Sequence, residues 1–214
     1  LDKKYQIKPP SLPFTLNIAV DNLCKNEFDH YRSIKKPHPL FIEYGIDALP
    51  FKHEDLELWR SNFKGIRYKS TEYNYDFGGA VDDIWQKKNG DLIIVDVKAT
   101  SRNHFDWSET FNKYEYAKAY KRQLEMYQWL FKKNGFKVAK EAYLLYFNGK
   151  KNEETFNNQL NFDTHLIRLD CSTSWVEPKI IETVNLLRSD IFPKPSLNCE
   201  QCNYLKKRWN LSKN

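Results

Sequence analysis

Cysteine is scarce. Four residues, Cys24, Cys171, Cys199 and Cys202, in a chain of 214 are too few to staple a domain of this size with disulfides. Long apolar runs are missing too: the longest candidate strand core, Leu92-Ile93-Ile94-Val95, stops at Asp96, far short of the ~20 residues of a membrane-spanning helix. There is no internal repeat and no low-complexity stretch. Nothing at the N-terminus reads as a secretory signal peptide, and Leu1 does not read as the natural start. The expectation is a soluble, cytoplasmic protein with no membrane partner. Neither sign of charge dominates: 34 Lys and Arg against 28 Asp and Glu give +6 and a pI near 8.9. That balance permits a polyanionic partner without requiring one.

Aromatic residues are plentiful: 6 Trp, 13 Tyr and 14 Phe make up 15% of the chain and can fill a core although the hydrophobic total is a lean 41%. Disorder is therefore excluded, and the length suits a single domain over residues 1–214. Lys206, Lys207, Arg208 and Lys213 give it a basic C-terminal tail with no acid among the last residues.

Residues 1–13 read as an extended lead-in. Apolar spacing (Leu16, Ile18, Ala19, Leu23, Phe28, Tyr31) predicts a helix from Thr15 to about Ser33, broken by Pro37-His38-Pro39. A second helix is expected over 53–61. Extended segments at 66–68 and 73–77 precede strands at 81–85 and 92–98, which flank the hairpin signal Lys88-Asn89-Gly90. After a polar loop, Tyr114 to Lys133 reads as a long helix stopped by Gly135. Strands at 142–147 and 160–169 and a helix at 175–187, with Pro178 in its first turn, complete a mixed α/β order.

Asp96 and Lys98 lie two apart on a strand, so they share a face with Leu92 and Ile94. A carboxylate and an ammonium at the end of an apolar row need a reason. An ion pair at an exposed strand end is one. A carboxylate that holds a divalent metal, beside a lysine that steadies a nucleophilic water, is the other. On the long helix, Tyr116, Tyr120, Gln123, Tyr127 and Leu130 form one stripe, which puts the Gln123 amide in the buried row with Tyr127 at i+4.

Together, Gly79-Ala80-Val81-Asp82, then Asp96-Val97-Lys98, then Gln123-x-x-x-Tyr127 resemble the PD-(D/E)XK nuclease superfamily, in particular its RecB-like branch. The resemblance covers roughly residues 50–150, and three motifs on the expected strand, strand and helix are more specific than any one. It implies a restriction-endonuclease-like α/β fold, a central mixed sheet flanked by helices with the 81–98 hairpin at its heart. It also implies a nuclease that cleaves phosphodiesters with Mg²⁺ or Mn²⁺, with nucleic acid, DNA foremost, as partner. Asp82 and Asp96 would hold the metal with the Val97 carbonyl. Lys98 would orient water and stabilise charge on the phosphate, and Gln123 and Tyr127 would shape the site. The first motif, a Glu or His on an early helix, is met best by His53, with Glu54 and Glu57 as rivals. Some relatives bind an iron–sulfur cluster through one early and three late cysteines. Cys24, Cys199 and Cys202 stand where three of these would fall, but Arg208 stands near the fourth place and Cys171 is a distant substitute. A vestigial or partly rebuilt corner, holding zinc or nothing, is the resulting expectation. The alternative to a nuclease is a non-catalytic DNA-binding or assembly subunit with the same fold. No base-reading module is recognisable.

The two adjacent aspartates are separated by register. A two-residue turn at Asn89-Gly90 would set Asp83 opposite Asp96. A three-residue loop with Gly90 left-handed would pair Lys87 with Asp91 and set Asp82 opposite Asp96. The family pattern selects Asp82 and hence the longer loop, leaving Asp83 on the other face as a supporting or surface acid.

Overall fold

The computed structural model describes residues 15–195 and 199–211. The expected lead-in at 1–13, and Lys213 in the tail, lie outside them. The elements are α1 (Thr15–Ser33), α2 (Pro39–Glu43), β1 (Ala48–Pro50), α3 (Leu56–Arg60), β2 (Ile66–Ser70), β3 (Tyr75–Gly79), β4 (Asp83–Lys87), β5 (Leu92–Thr100), α4 (Trp107–Lys113), α5 (Glu115–Lys133), β6 (Glu141–Gly149), β7 (Phe162–Asp170), α6 (Val176–Arg188) and α7 (Glu200–Leu211). The chain divides into two compact units, one ending at Glu177 and the other containing the residues from Pro178 onward. Among the described residues no helix is long and apolar enough to cross a membrane.

The first unit is a mixed five-stranded sheet in the order β1-β4-β5-β6-β7. β5 and β6 run parallel, joined through α4 and α5, and the other neighbouring pairs are antiparallel. This is the central mixed sheet with flanking helices that the resemblance implies. Strands β2 and β3 form a separate antiparallel ribbon instead of joining it.

Alternation along β4 and β5 assigns the two faces. Trp85, Ile93 and Val95 face a core of Cys24 and Phe28 from α1, Phe41 from α2, and Tyr143 and Leu145 from β6. The neighbouring residues Ile84, Ile94 and Leu144 point to the opposite face, on which α5 packs, and none of the three is exposed. The hairpin between β4 and β5 is the three-residue type. The Lys87 N–H donates to Asp91 O at 2.9 Å, that of Gly90 donates to Lys87 O at 2.9 Å, and Gly90 adopts φ +90°. The ladder then pairs Asp83 with Val95 and Ile84 with Ile94.

Several elements differ from expectation. β4 begins at Asp83, not at residue 81. The segment at 37–39 follows the expected end of α1 at Ser33 and, beyond that expectation, starts α2, where His38 Nδ1 accepts the Leu40 N–H at 3.1 Å and Pro39 occupies the first turn. The polar loop contains α4, capped by Asp106 accepting the Glu109 N–H at 2.8 Å. The tail contains α7. On α1, Leu16, Ile18 and Leu23 are exposed, and Cys24, Phe28 and Arg32 are the residues turned inward.

Candidate active site

Where β5 leaves the buried part of the sheet, a cleft of about 460 Å³ opens between α1, the segment before β4, and α5. Asp82, Asp96, Lys98, Gln123 and Tyr127 line it together, as does Val97. Asp82 stands just ahead of β4, and extension of the ladder sets it opposite Asp96. It is fixed there by the Val97 N–H, which donates to Asp82 Oδ2 at 2.7 Å. Lys98 forms an ion pair with Asp96 Oδ2 and lies 4.7 Å from the centre of the Tyr120 ring.

A buried carboxylate and a partly buried one facing one another do not both ionise easily. Burial, and then the Asp82 charge, push Asp96 up to about 7 despite the opposing pull of Lys98. Asp82 is raised as well, by burial and then by the charge of Asp21. Asp21 comes from α1 and lines the same cleft. Its Oδ2 holds Lys25 at 2.6 Å, and Lys25 lies 3.8 Å from Asp82 Oδ1. Asp21 Oδ1 is buried without a hydrogen-bond partner, and Asp96 Oδ2 has only the ion pair with Lys98. Carboxylate oxygens with few donors, gathered at one cleft, are what a hard divalent cation takes, and Mg²⁺ or Mn²⁺ needs only a few of them because it retains waters. The residues present therefore fit such a metal.

Gln123 and Tyr127 form one unit. Gln123 Nε2 donates to the Tyr127 hydroxyl at 2.7 Å, and burial raises Tyr127 to about 12. Its ring approaches Gly79 so closely that a Cβ on that glycine would lie 2.6 Å from Tyr127 Cε1. Gln123 itself is half-buried. The fully buried amide of this helix is Gln128, whose Nε2 donates to the carbonyls of Ala139 and Glu141 at 3.1 and 3.2 Å.

The early-helix candidates sit elsewhere. His53 stacks on Trp59 with ring centres 4.4 Å apart, its Nδ1 accepts the Asp55 N–H at 3.1 Å, and it is not among the residues that line the cleft. Glu54 is exposed, and Glu57 pairs with Arg60 at 3.0 Å. Asp21 is the acid that an early helix brings to the site, and the apolar spacing of α1 gave no sign of it. Its spacing from Asn17 and Lys25, four residues each way, was the available signal.

Asp83 is no surface acid. It is buried on the opposite face, ion-paired with Arg32 and with Arg60 at 2.8 Å, and it accepts from Trp85 Nε1 at 3.1 Å. Cys24 is a core residue whose thiol is pushed up by burial and then by the Asp83 charge, so it packs as a small protonated hydrophobe. Cys199 lies at the start of α7, its Sγ accepting the Cys202 N–H at 3.4 Å. Among the described residues no three His, Cys, Asp or Glu side chains are grouped to hold a metal ion.

The family model for the PD-(D/E)XK nuclease superfamily matches residues 18–206. No curated protein matches significantly. A solved structure, "Crystal structure of SSO0001", is similar at 19% identity with a TM-score of 0.36, over 65% of this chain and 54% of that one. The chain thus spans about half the length of that protein.

Proposed function

The chain belongs to the PD-(D/E)XK nuclease superfamily, and from that premise we propose that it is a metal-dependent nuclease of the RecB-like branch, hydrolysing phosphodiester bonds in DNA. The observation that carries this reading is the convergence of Asp82 and Asp96 beside Lys98 at the mouth of the central hairpin. An ordinary strand-end ion pair has no need of a second carboxylate in the same buried place.

Asp82 and Asp96 would hold Mg²⁺ or Mn²⁺ with the Val97 carbonyl, and Asp21, which lines the same cleft, is the acid an early helix contributes in place of His53 without closing a three-carboxylate ligand set. The bound cation would polarise the phosphate and lower the pKa of a coordinated water. The ion pair with Asp96 holds the Lys98 amino group at the cleft. There Lys98 orients the attacking water and opposes negative charge as it develops on the phosphate. Tyr127 stays protonated at neutral pH, which excludes it as a base. Because it accepts from Gln123, its own hydroxyl proton is free to donate to a phosphate oxygen.

Digestion of labelled DNA with Mg²⁺ or Mn²⁺, against a chelator control, tests the reading. Metal-dependent product that disappears in Asp96→Asn supports it. Nucleic-acid binding without turnover under any divalent metal replaces it with the non-catalytic subunit.

A further inference from the structure

Behind Lys98 lies a second cavity, of about 200 Å³, that shares Lys98, Ala99 and Tyr120 with the acidic cleft. Six of its nine lining residues are aromatic or cationic: Lys98, Arg102, Phe105, Tyr116, Tyr120 and Tyr146. None of these takes part in holding a metal, and the chemistry at Asp82 and Asp96 uses only Lys98 among them. The volume corresponds to about six or seven waters, the room needed by one planar heterocycle and too little for a base pair.

The cavity is built rigidly. Asn148, itself buried, accepts the Arg102 N–H at 2.8 Å and donates to the Arg102 carbonyl at 3.1 Å, so the chain leaving β5 is clamped to β6. The Arg102 guanidinium lies 5.3 and 5.7 Å from the Tyr114 and Tyr116 ring centres and donates to Thr110 Oγ1 at 3.2 Å and to the Tyr116 hydroxyl. Phe105 is held in place between His165, stacked at 4.4 Å, and Tyr146 at 5.0 Å. Among the described residues the Tyr146 and Tyr120 hydroxyls make no hydrogen bond, which leaves them for a ligand's ring edge. Flat π-faces, a fixed guanidinium and free phenol groups at the rim are the means by which proteins hold an unpaired base without selecting its sequence.

Position decides what enters. Tyr116, Tyr120, Gln123 and Tyr127 run along one line of α5, spanning about 16 Å at 1.5 Å per residue, and the acidic cleft lies along the Tyr120–Tyr127 part of that line. A phosphate at Lys98 therefore has the cavity beside it, one nucleotide away. We propose that this cavity takes the base of the nucleotide adjacent to the attacked phosphate, which makes single-stranded polynucleotide the substrate. The proposal rests on the nuclease reading for the phosphate's location. A base can reach the cavity only when it is neither paired nor stacked in a duplex.

The experiment is a binding scan in chelator, where no cleavage occurs. A fluorescently labelled short DNA strand, its blunt duplex and a series carrying one abasic site at each position in turn are titrated with the full chain. The single strand is expected to bind more tightly than the duplex. One abasic position should lower affinity by about tenfold, with the other positions nearly silent. Phe105→Ala should erase that positional effect, and a 2-aminopurine placed at the sensitive position should be quenched on binding to the parent protein. The abasic series changes the ligand alone, so its result does not depend on any variant folding. A flat scan, or a duplex bound as tightly as the single strand, overturns the proposal. The two readings fail separately. Metal-dependent cleavage with a flat scan leaves the nuclease and removes the base pocket, whereas a positional effect with no cleavage under any metal leaves the pocket and removes the nuclease.

Discussion

Asp82 and Asp83 are consecutive in the chain and serve opposite faces of the sheet. Asp82 accepts the Val97 N–H at 2.7 Å in the cleft, while Asp83 lies between Arg32 and Arg60 in the core. The two positions should therefore respond differently to the same change. Asp82→Asn should abolish Mn²⁺ binding and leave the protein folded, because it removes one member of a repelling pair. Asp83→Asn removes the buried carboxylate that Arg32 and Arg60 share, leaving them Asp29, and should cost about 3 kcal/mol of stability. Urea unfolding read beside calorimetric Mn²⁺ titration separates them. Loss of metal binding in Asp83→Asn at full stability, with Asp82→Asn unaffected, would reverse the assignment.

In the proposed reaction Lys98 acts on charge that is present only in the transition state. Lys98→Ala should lower the cleavage rate by about 10²–10³-fold. Metal affinity should hold or rise slightly, since a cation beside the carboxylate pair has been removed. Single-turnover rates and Mn²⁺ titrations on the same preparation check this. A rate near the parent's would show that Lys98 is only Asp96's structural partner.

The period of two along β4 and β5 reduced the partner of Asp96 to Asp82 or Asp83 according to loop length, and the family pattern, not the hairpin sequence, selected Asp82 and the longer loop. The structure has that loop, with Gly90 at φ +90°. The phase of α1 was not legible. Apolar residues normally mark the inward face, but Leu16, Ile18 and Leu23 are 62%, 54% and 68% exposed, so the stripe they suggested hid Asp21. On α5 neighbouring helical rows differ by one position, and the sequence could not show that Gln128, not Gln123, satisfies the buried carbonyls. The helix α4 did leave a signal: Asp106 followed three residues later by Glu109 is a helix-start pattern within an otherwise polar, loop-like stretch. The buried position of Asp83 needed Arg32 and Arg60, distant in sequence, and no local pattern announces such a partner.

The carboxylate pair gives the metal-free protein a pH dependence of definite sign. Asp96 titrates near 7 when folded and near ~4 when unfolded. Between those values the folded state holds more protons, so stability falls as pH rises. The contribution is complete below ~4 and is lost as pH passes about 7. Asp96→Asn removes this slope, and its stability relative to the parent should grow with pH across that window. Thermal melts in chelator at several pH values test it, and parallel curves for the two proteins would rule out a protonated Asp96.

Gly79 is the place where the ribbon meets α5. A Cβ there would lie 2.6 Å from Tyr127 Cε1 and 3.1 Å from Cδ1, with Leu130 behind at 3.7 Å. The backbone itself is unstrained at Gly79, so Gly79→Ala acts by displacing the ring. Overpacking of this kind costs roughly 1–3 kcal/mol. Moving the ring also breaks the 2.7 Å bond from Gln123 and displaces the Tyr127 hydroxyl from the position in which the proposed mechanism uses it. Gly79→Ala should therefore lose both stability and rate. Adding Tyr127→Phe should lower the rate little further, because the two changes remove the same contact. Thermal unfolding and cleavage rates on the two single variants and the double variant decide it. Additive losses in rate would show that the Tyr127 hydroxyl works independently of the position Gly79 permits.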